Sequence, residues 1–160
     1  MEKAERQIRV LLWFFIIALF LSGATAIPAS TELVFVLETF PKNSSLSQFF
    51  VIIENGVTKT QAQFPFLFYG YDWLAFAHLV LAILFVGPLR DPVRNKWVIE
   101  FGMIACILII PFAMIAGYFR GIPFWWRVID CSFGIIGIIP LYICYTKIQV
   151  LELSQNKIAY

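Results

Sequence analysis

The stretch WVIEFGMIACILIIPFAMIAGYF, residues 97–119, decides the fold. Glu100 is its one charged residue. The run is long enough to cross a hydrocarbon core, which takes about 20 apolar residues in a helix rising about 1.5 Å per residue. On its N-terminal side LRDPVRNK, residues 89–96, reads as a tight turn in which Asp91 is an N-cap and Pro92 sits in the first turn of the following helix. Before that turn lies a second apolar run, 66–88, whose centre YDWLAFAHLVLAILF (71–85) carries Asp72 and the chain's single histidine, His78. On the C-terminal side RGIPFWWR, residues 120–127, contains Gly121 and Pro123, which prevent a continuous helix, and a further span follows over 128–146. Residues 66–146 thus predict two antiparallel hairpins that share the 97–119 helix.

A first span is read over 10–27, VLLWFFIIALFLSGATAI. Its ATA at 24–26 resembles a signal-peptidase site after a short basic leader and an apolar core, and the segment is expected to stay as an anchor helix. Composition agrees with four spans. The 160 residues are 61% hydrophobic and 14% charged, with a mean hydropathy of +0.82, whereas the apolar share of soluble domains is about half. No internal repeat or low-complexity linker divides the chain. The expectation is one all-α domain over 1–160, a four-helix transmembrane bundle with an outer loop at 28–65 and a tail at 147–160.

Lysine and arginine are enriched in cytoplasmic loops near span ends. Of the twelve here, Lys3, Arg6, Arg9, Arg90, Arg94, Lys96, Lys147 and Lys157 flank one set of span ends, and Lys42, Lys59, Arg120 and Arg127 the other. Both termini are therefore expected in the cytoplasm, with Trp13 and Trp97 at the inner interface and Trp73, Trp125 and Trp126 at the outer one. A bacterial cytoplasmic membrane is the expected location. The net charge of +2 gives no concentrated basic face of the kind nucleic acid requires, so no nucleic-acid partner is expected.

The outer loop is too apolar for a solvated linker. SLSQ at 45–48 has the form of a capping box and Asn55-Gly56 that of a stop, which predicts a short helix from Leu46 to Glu54 within an extracytoplasmic cap. Asn43-Ser44-Ser45 matches the glycosylation acceptor pattern, relevant only in a eukaryotic secretory pathway.

Helices in lipid associate through small residues. Gly102, Cys106, Ala113, Ala116 and Gly117 form such a stripe ending at Arg120; Asp130, Gly134 and Gly137 form another, and Ala75, His78 and Ala82 a third. These faces are expected to point inward. His78 then lies roughly 12 Å below the outer surface and Asp130 roughly 5 to 10 Å below it. An ionisable group at that depth costs about 3 kcal/mol or more and calls for a partner or a task. Asp130, Tyr71, Tyr118 or a carbonyl freed by Pro111 or Pro140 are the candidate partners of His78. Asp130 is expected to pair with Arg127, three residues earlier, or with Arg120 across the short loop. That pair is either a clamp or the core of an anion or lipid-headgroup site. Asp72 lies about 120 degrees around the helix from His78, so the two form no dyad; it is placed near Tyr69, Trp73 or a third-loop arginine. Glu100 is expected to pair with Lys96 or Arg90. The cysteines Cys106, Cys131 and Cys144 all fall within spans and read as small hydrophobes.

One histidine supports neither a bis-histidine haem nor a complete zinc site, so no cofactor and no metal are predicted. In helix number and size the chain resembles DoxX-like proteins, without a motif that maps residue by residue. It lacks the paired outer cysteines of quinone-linked thiol oxidoreductases and the several acids and histidines of sterol-isomerase-like proteins. The reading is a non-enzymatic membrane protein, an accessory or assembly subunit or a lipid-binding module built on Arg120, Arg127 and Asp130. Its partners would be membrane lipids and another membrane subunit or a second copy. The competing reading is a membrane enzyme or proton-coupled transporter using His78 and Asp130.

Overall fold

The computed structural model describes residues 2–27, 33, 35, 37–39 and 45–158. Its elements are α1 (Glu2–Ala26), α2 (Ser45–Gln63), α3 (Pro65–Leu84), the single turn-and-a-half α4 (Val86–Arg90), α5 (Lys96–Phe119) and α6 (Phe124–Ile158). Residues 33, 35 and 37–39 are helical as well, and no strand occurs among the described residues. Four stretches, Glu2–Ala26, Pro65–Arg90, Lys96–Phe119 and Phe124–Ser154, are long and apolar enough to cross a membrane. The chain is therefore all-helical with the makings of a multi-pass membrane protein.

Local chemistry explains most boundaries and corrects three expectations. Asp91 ends α4 as its C-cap; its Oδ1 accepts the Arg94 N–H at 3.0 Å, and the helix proper starts after Asn95, four residues later than an N-cap at Asp91 implies. The Asn95 side chain organises this turn by donating to the carbonyls of Gly87 (3.2 Å) and Asp91 (3.0 Å). Asn55-Gly56 does not stop α2. Asn55 instead donates its side-chain N–H to Val51 O at 2.9 Å, and α2 runs to Gln63. The break falls at Phe64, because Pro65 has no N–H to continue the ladder and suits the first turn of α3. The expected pair of Glu100 with Lys96 or Arg90 also does not form: Lys96 Nζ lies 2.9 Å from Glu152 Oε2, the one ion pair among the described residues. Its ammonium also faces the Tyr145 ring at 5.6 Å. That contact is possible because α6 continues far beyond Thr146; at about 1.5 Å per residue its 35 residues span roughly 50 Å, more than a bilayer core.

Internal contacts divide the chain into two compact units, residues 1–17 with 82–160, and residues 18–81. The first is organised by a seam. Along α6 the buried residues Cys131, Gly134, Leu141, Cys144, Ile148 and Leu151, with the half-buried Gly137 among them, recur at steps of three or four. Along α5, Ile99, Gly102 and Cys106 do the same, and Ile8, Leu12 and Ile16 form the buried stripe of α1. Steps of three and four keep such a seam on one face of a helix. α5 and α6 come close at two glycines: a Cβ on Gly134 would overlap the main-chain oxygen of Cys106, and one on Gly102 would stand 2.9 Å from the Leu141 side chain at Cδ1 and 2.8 Å from Phe85 Cζ. Phe85, where α3 ends, also meets Phe15 of α1 with ring centres 4.7 Å apart.

In the second unit the C-terminal part of α1 packs on α3 at Gly23, where a Cβ would stand 2.7 Å from Ala75 O and 3.0 Å from His78 Cβ. Ala75 and Ser47 are buried in this unit.

Candidate functional site

The turn between α5 and α6 is built by its backbone. Gly121 adopts a left-handed φ of +67°, its N–H bonds Tyr118 O at 3.1 Å, and the Ile122 N–H bonds Gly117 O at 2.9 Å. This is the Schellman end of a helix, and glycine carries it because a Cβ is disfavoured at that φ. Pro123 then restarts the chain, its carbonyl accepting the N–H groups of Trp126 and Arg127 in the first turn of α6.

That turn aims Arg127 across onto α5. Its Cγ and Cδ lie in the space that Gly117 leaves by lacking a Cβ. Its Nη1 donates to Met114 O at 3.2 Å, and its guanidinium carbon sits 5.4 Å from the Phe124 ring centre. Its Nε is buried without a hydrogen-bond partner. The expected pairing with Asp130 is therefore not made. Once the head of Arg127 is drawn over Gly117 to a carbonyl of α5, it points away from the carboxylate one turn along its own helix. Asp130 is partly exposed and has no ion-pair partner among the described residues. Arg120, the C-cap of α5, is exposed, as is Tyr118 beside it.

His78 turns inward on its own helix, with Nδ1 2.9 Å from Leu74 O. Tyr71 packs near Phe68, ring centres 5.6 Å apart. Asp72 lines a shallow cleft of about 290 Å³ with Tyr69, Trp73 and Phe76, whose rings follow one another edge to face. Among the described residues no three His, Cys, Asp or Glu side chains gather as metal ligands, and the three cysteines are free and buried.

Sequence reasoning missed two clusters in the first unit. A polar cleft of about 230 Å³ gathers Glu5, Arg9, Arg90 and Asp91. A larger groove between α1 and α6 is edged by Lys3, Arg6 and Lys147. The i, i+3 spacing of Lys3 and Arg6 was visible, but nothing local shows that Lys147 would stand beside them. Comparison with protein-family models, curated proteins and solved structures finds no match to this chain.

Proposed function

We propose that this chain is a non-catalytic, multi-pass protein of a bacterial cytoplasmic membrane, both termini inside, that serves as an accessory or assembly subunit and holds lipid headgroups at its outer rim. The observation that carries it is the state of the rim cations. Arg127 is fixed on Met114 O and the Phe124 ring, Arg120 is exposed, and neither has an ion-pair partner among the described residues. Two uncompensated guanidinium groups beside Trp125 and Trp126 suit a phosphate at headgroup level, which arginine binds through its planar fork. The orientation follows from the lysine and arginine bias, and residues 28–65 would cap the outer ends.

A relay through His78 and Asp130 is the second reading. It receives less support because the imidazole bonds main chain of its own helix and the carboxylate has no ion-pair partner. His78→Ala separates the two readings: a transporter or enzyme loses its cellular activity, a lipid-holding subunit keeps it.

The test is native mass spectrometry of the full chain released from membranes in mild detergent. Phospholipid or partner-subunit adducts are expected, with phospholipid reduced in the Arg120→Gln, Arg127→Gln double variant. A lone monomer without lipid or partner overturns the proposal.

A further inference from the structure

We infer that the groove between the start of α1 and the middle of α6 is a binding site for one anionic diacyl phospholipid. Lys3, Arg6, Gln7, Val10 and Leu11 recur at the spacing of a single helix face, and Ile143 and Lys147 lie one turn apart on α6. The helices run in opposite directions here, since Lys147 Nζ donates to Gln7 Oε1 at 2.6 Å and Cys144 Sγ lies 3.9 Å from Ile8 O. Both walls therefore change from charged to apolar toward the same side. Lys3, Arg6 and Lys147 form the head of the groove; Val10, Leu11 and Ile143 form its floor.

The volume is about 550 Å³, and Val10 is left 61% exposed on the floor. Three cations and no acid line the groove. Of the two acids in this part of α1, Glu5 lines the neighbouring polar cleft with Arg9 and Arg90, and Glu2 is not among the residues that line the groove. Lys147 is held by a neutral amide, so its charge stays available to a ligand. Phosphate above and an acyl chain below meet both halves of this surface, as basic pockets between membrane helices do for anionic headgroups. A soluble anion would leave the apolar floor unused, and an apolar helix would leave three cations unpaired.

The groove shares no residue with the Arg127 rim, so the two proposals stand or fall separately. The full chain, delipidated in mild detergent, is titrated with phosphatidylglycerol or with phosphatidylcholine of the same acyl chains, and bound lipid is counted by native mass spectrometry. Each cation contributes roughly fivefold near an anionic headgroup, so the Lys3→Gln, Arg6→Gln, Lys147→Gln variant is expected to lose about a hundredfold in phosphatidylglycerol affinity and to match phosphatidylcholine. Leu11→Trp, which fills the floor and keeps every charge, is expected to weaken phosphatidylglycerol as well. The titration is repeated in the Arg120→Gln, Arg127→Gln background, where lipid at the rim no longer adds to the count and the phosphatidylglycerol preference of the groove is expected to persist. Equal binding of the two lipids, an intact preference in the triple variant, displacement by glycerol phosphate at the lipid's own concentration, or a dimer that dissociates in the triple variant would each overturn the assignment.

Discussion

Replacing Gly134 by alanine adds one methyl group where α6 crosses the main chain of α5. The new Cβ would overlap Cys106 O and stand 3.3 Å from Cys106 C. The obstacle is backbone, so it cannot rotate aside, and normal contact requires the two helices to separate by about 1 Å. A gap of that size forfeits a quarter to a half of each dispersion contact along the seam. Overpacking costs about 1–3 kcal/mol, and the upper end applies to a main-chain obstacle. Alanine's better helix propensity returns up to about 1 kcal/mol, leaving a net loss of about 2 kcal/mol. Gly137→Ala meets only Cys106 Sγ at 3.1 Å and Phe15 Cε2 at 3.6 Å, both on side chains that can shift, and should cost under about 1 kcal/mol. Gly56→Ala on α2 meets nothing within 4 Å and should stabilise its helix by up to about 1 kcal/mol. The same chemical change thus has opposite signs at two positions. Unfolding by dodecyl sulfate in mixed micelles, followed by circular dichroism, measures all three. If Gly134→Ala is as stable as the parent, or Gly137→Ala is the worse of the two, the close α5–α6 crossing is refuted.

Two further expectations concern the first unit. The Lys96–Glu152 pair, with side chains 25% and 41% accessible, is weakened by the water and salt that reach it. Lys96→Gln should therefore shift the unfolding midpoint only slightly, and by less in 0.5 M salt, where the screening length is about threefold shorter, than in 0.05 M; a large, salt-independent loss would contradict it. Cys106, Cys131 and Cys144 are 6%, 7% and 1% exposed, so maleimide labelling in mild detergent should be slow at all three and slowest at Cys144, becoming complete only on unfolding. Rapid labelling of Cys144 in the folded protein would disprove the α1–α6 contact at Ile8.

Apolar content and its punctuation made the four long helices legible. Burying about 20 residues in hydrocarbon depends on a run of side chains, and runs are local. Gly121 and Pro123 likewise announced the α5–α6 turn, since φ and a missing N–H are properties of single residues. The stop at Asn55-Gly56 failed because neither residue forbids a helix. Asn55 could spend its amide on Val51 O, and the chain broke only where Pro65 lacked its donor.

Partnerships of the polar groups were the illegible part. Sequence spacing put Arg127 with Asp130, Lys96 with Glu100 and His78 with a tyrosine or an acid, all reasonable from helical geometry. Arg127 instead crosses to Met114 O through the notch at Gly117, Lys96 reaches Glu152, and His78 bonds Leu74 O. Which neighbour wins depends on which helix stands opposite and how closely, and a glycine sets that distance without naming what will fill it. That the chain is helical and apolar enough to cross a bilayer four times is written in its residues one by one, because it depends on each residue's own transfer energy. That Lys147 stands beside Gln7, 140 positions away, comes from the packing of α1 on α6, which assembles a cationic groove from two unrelated stretches of chain.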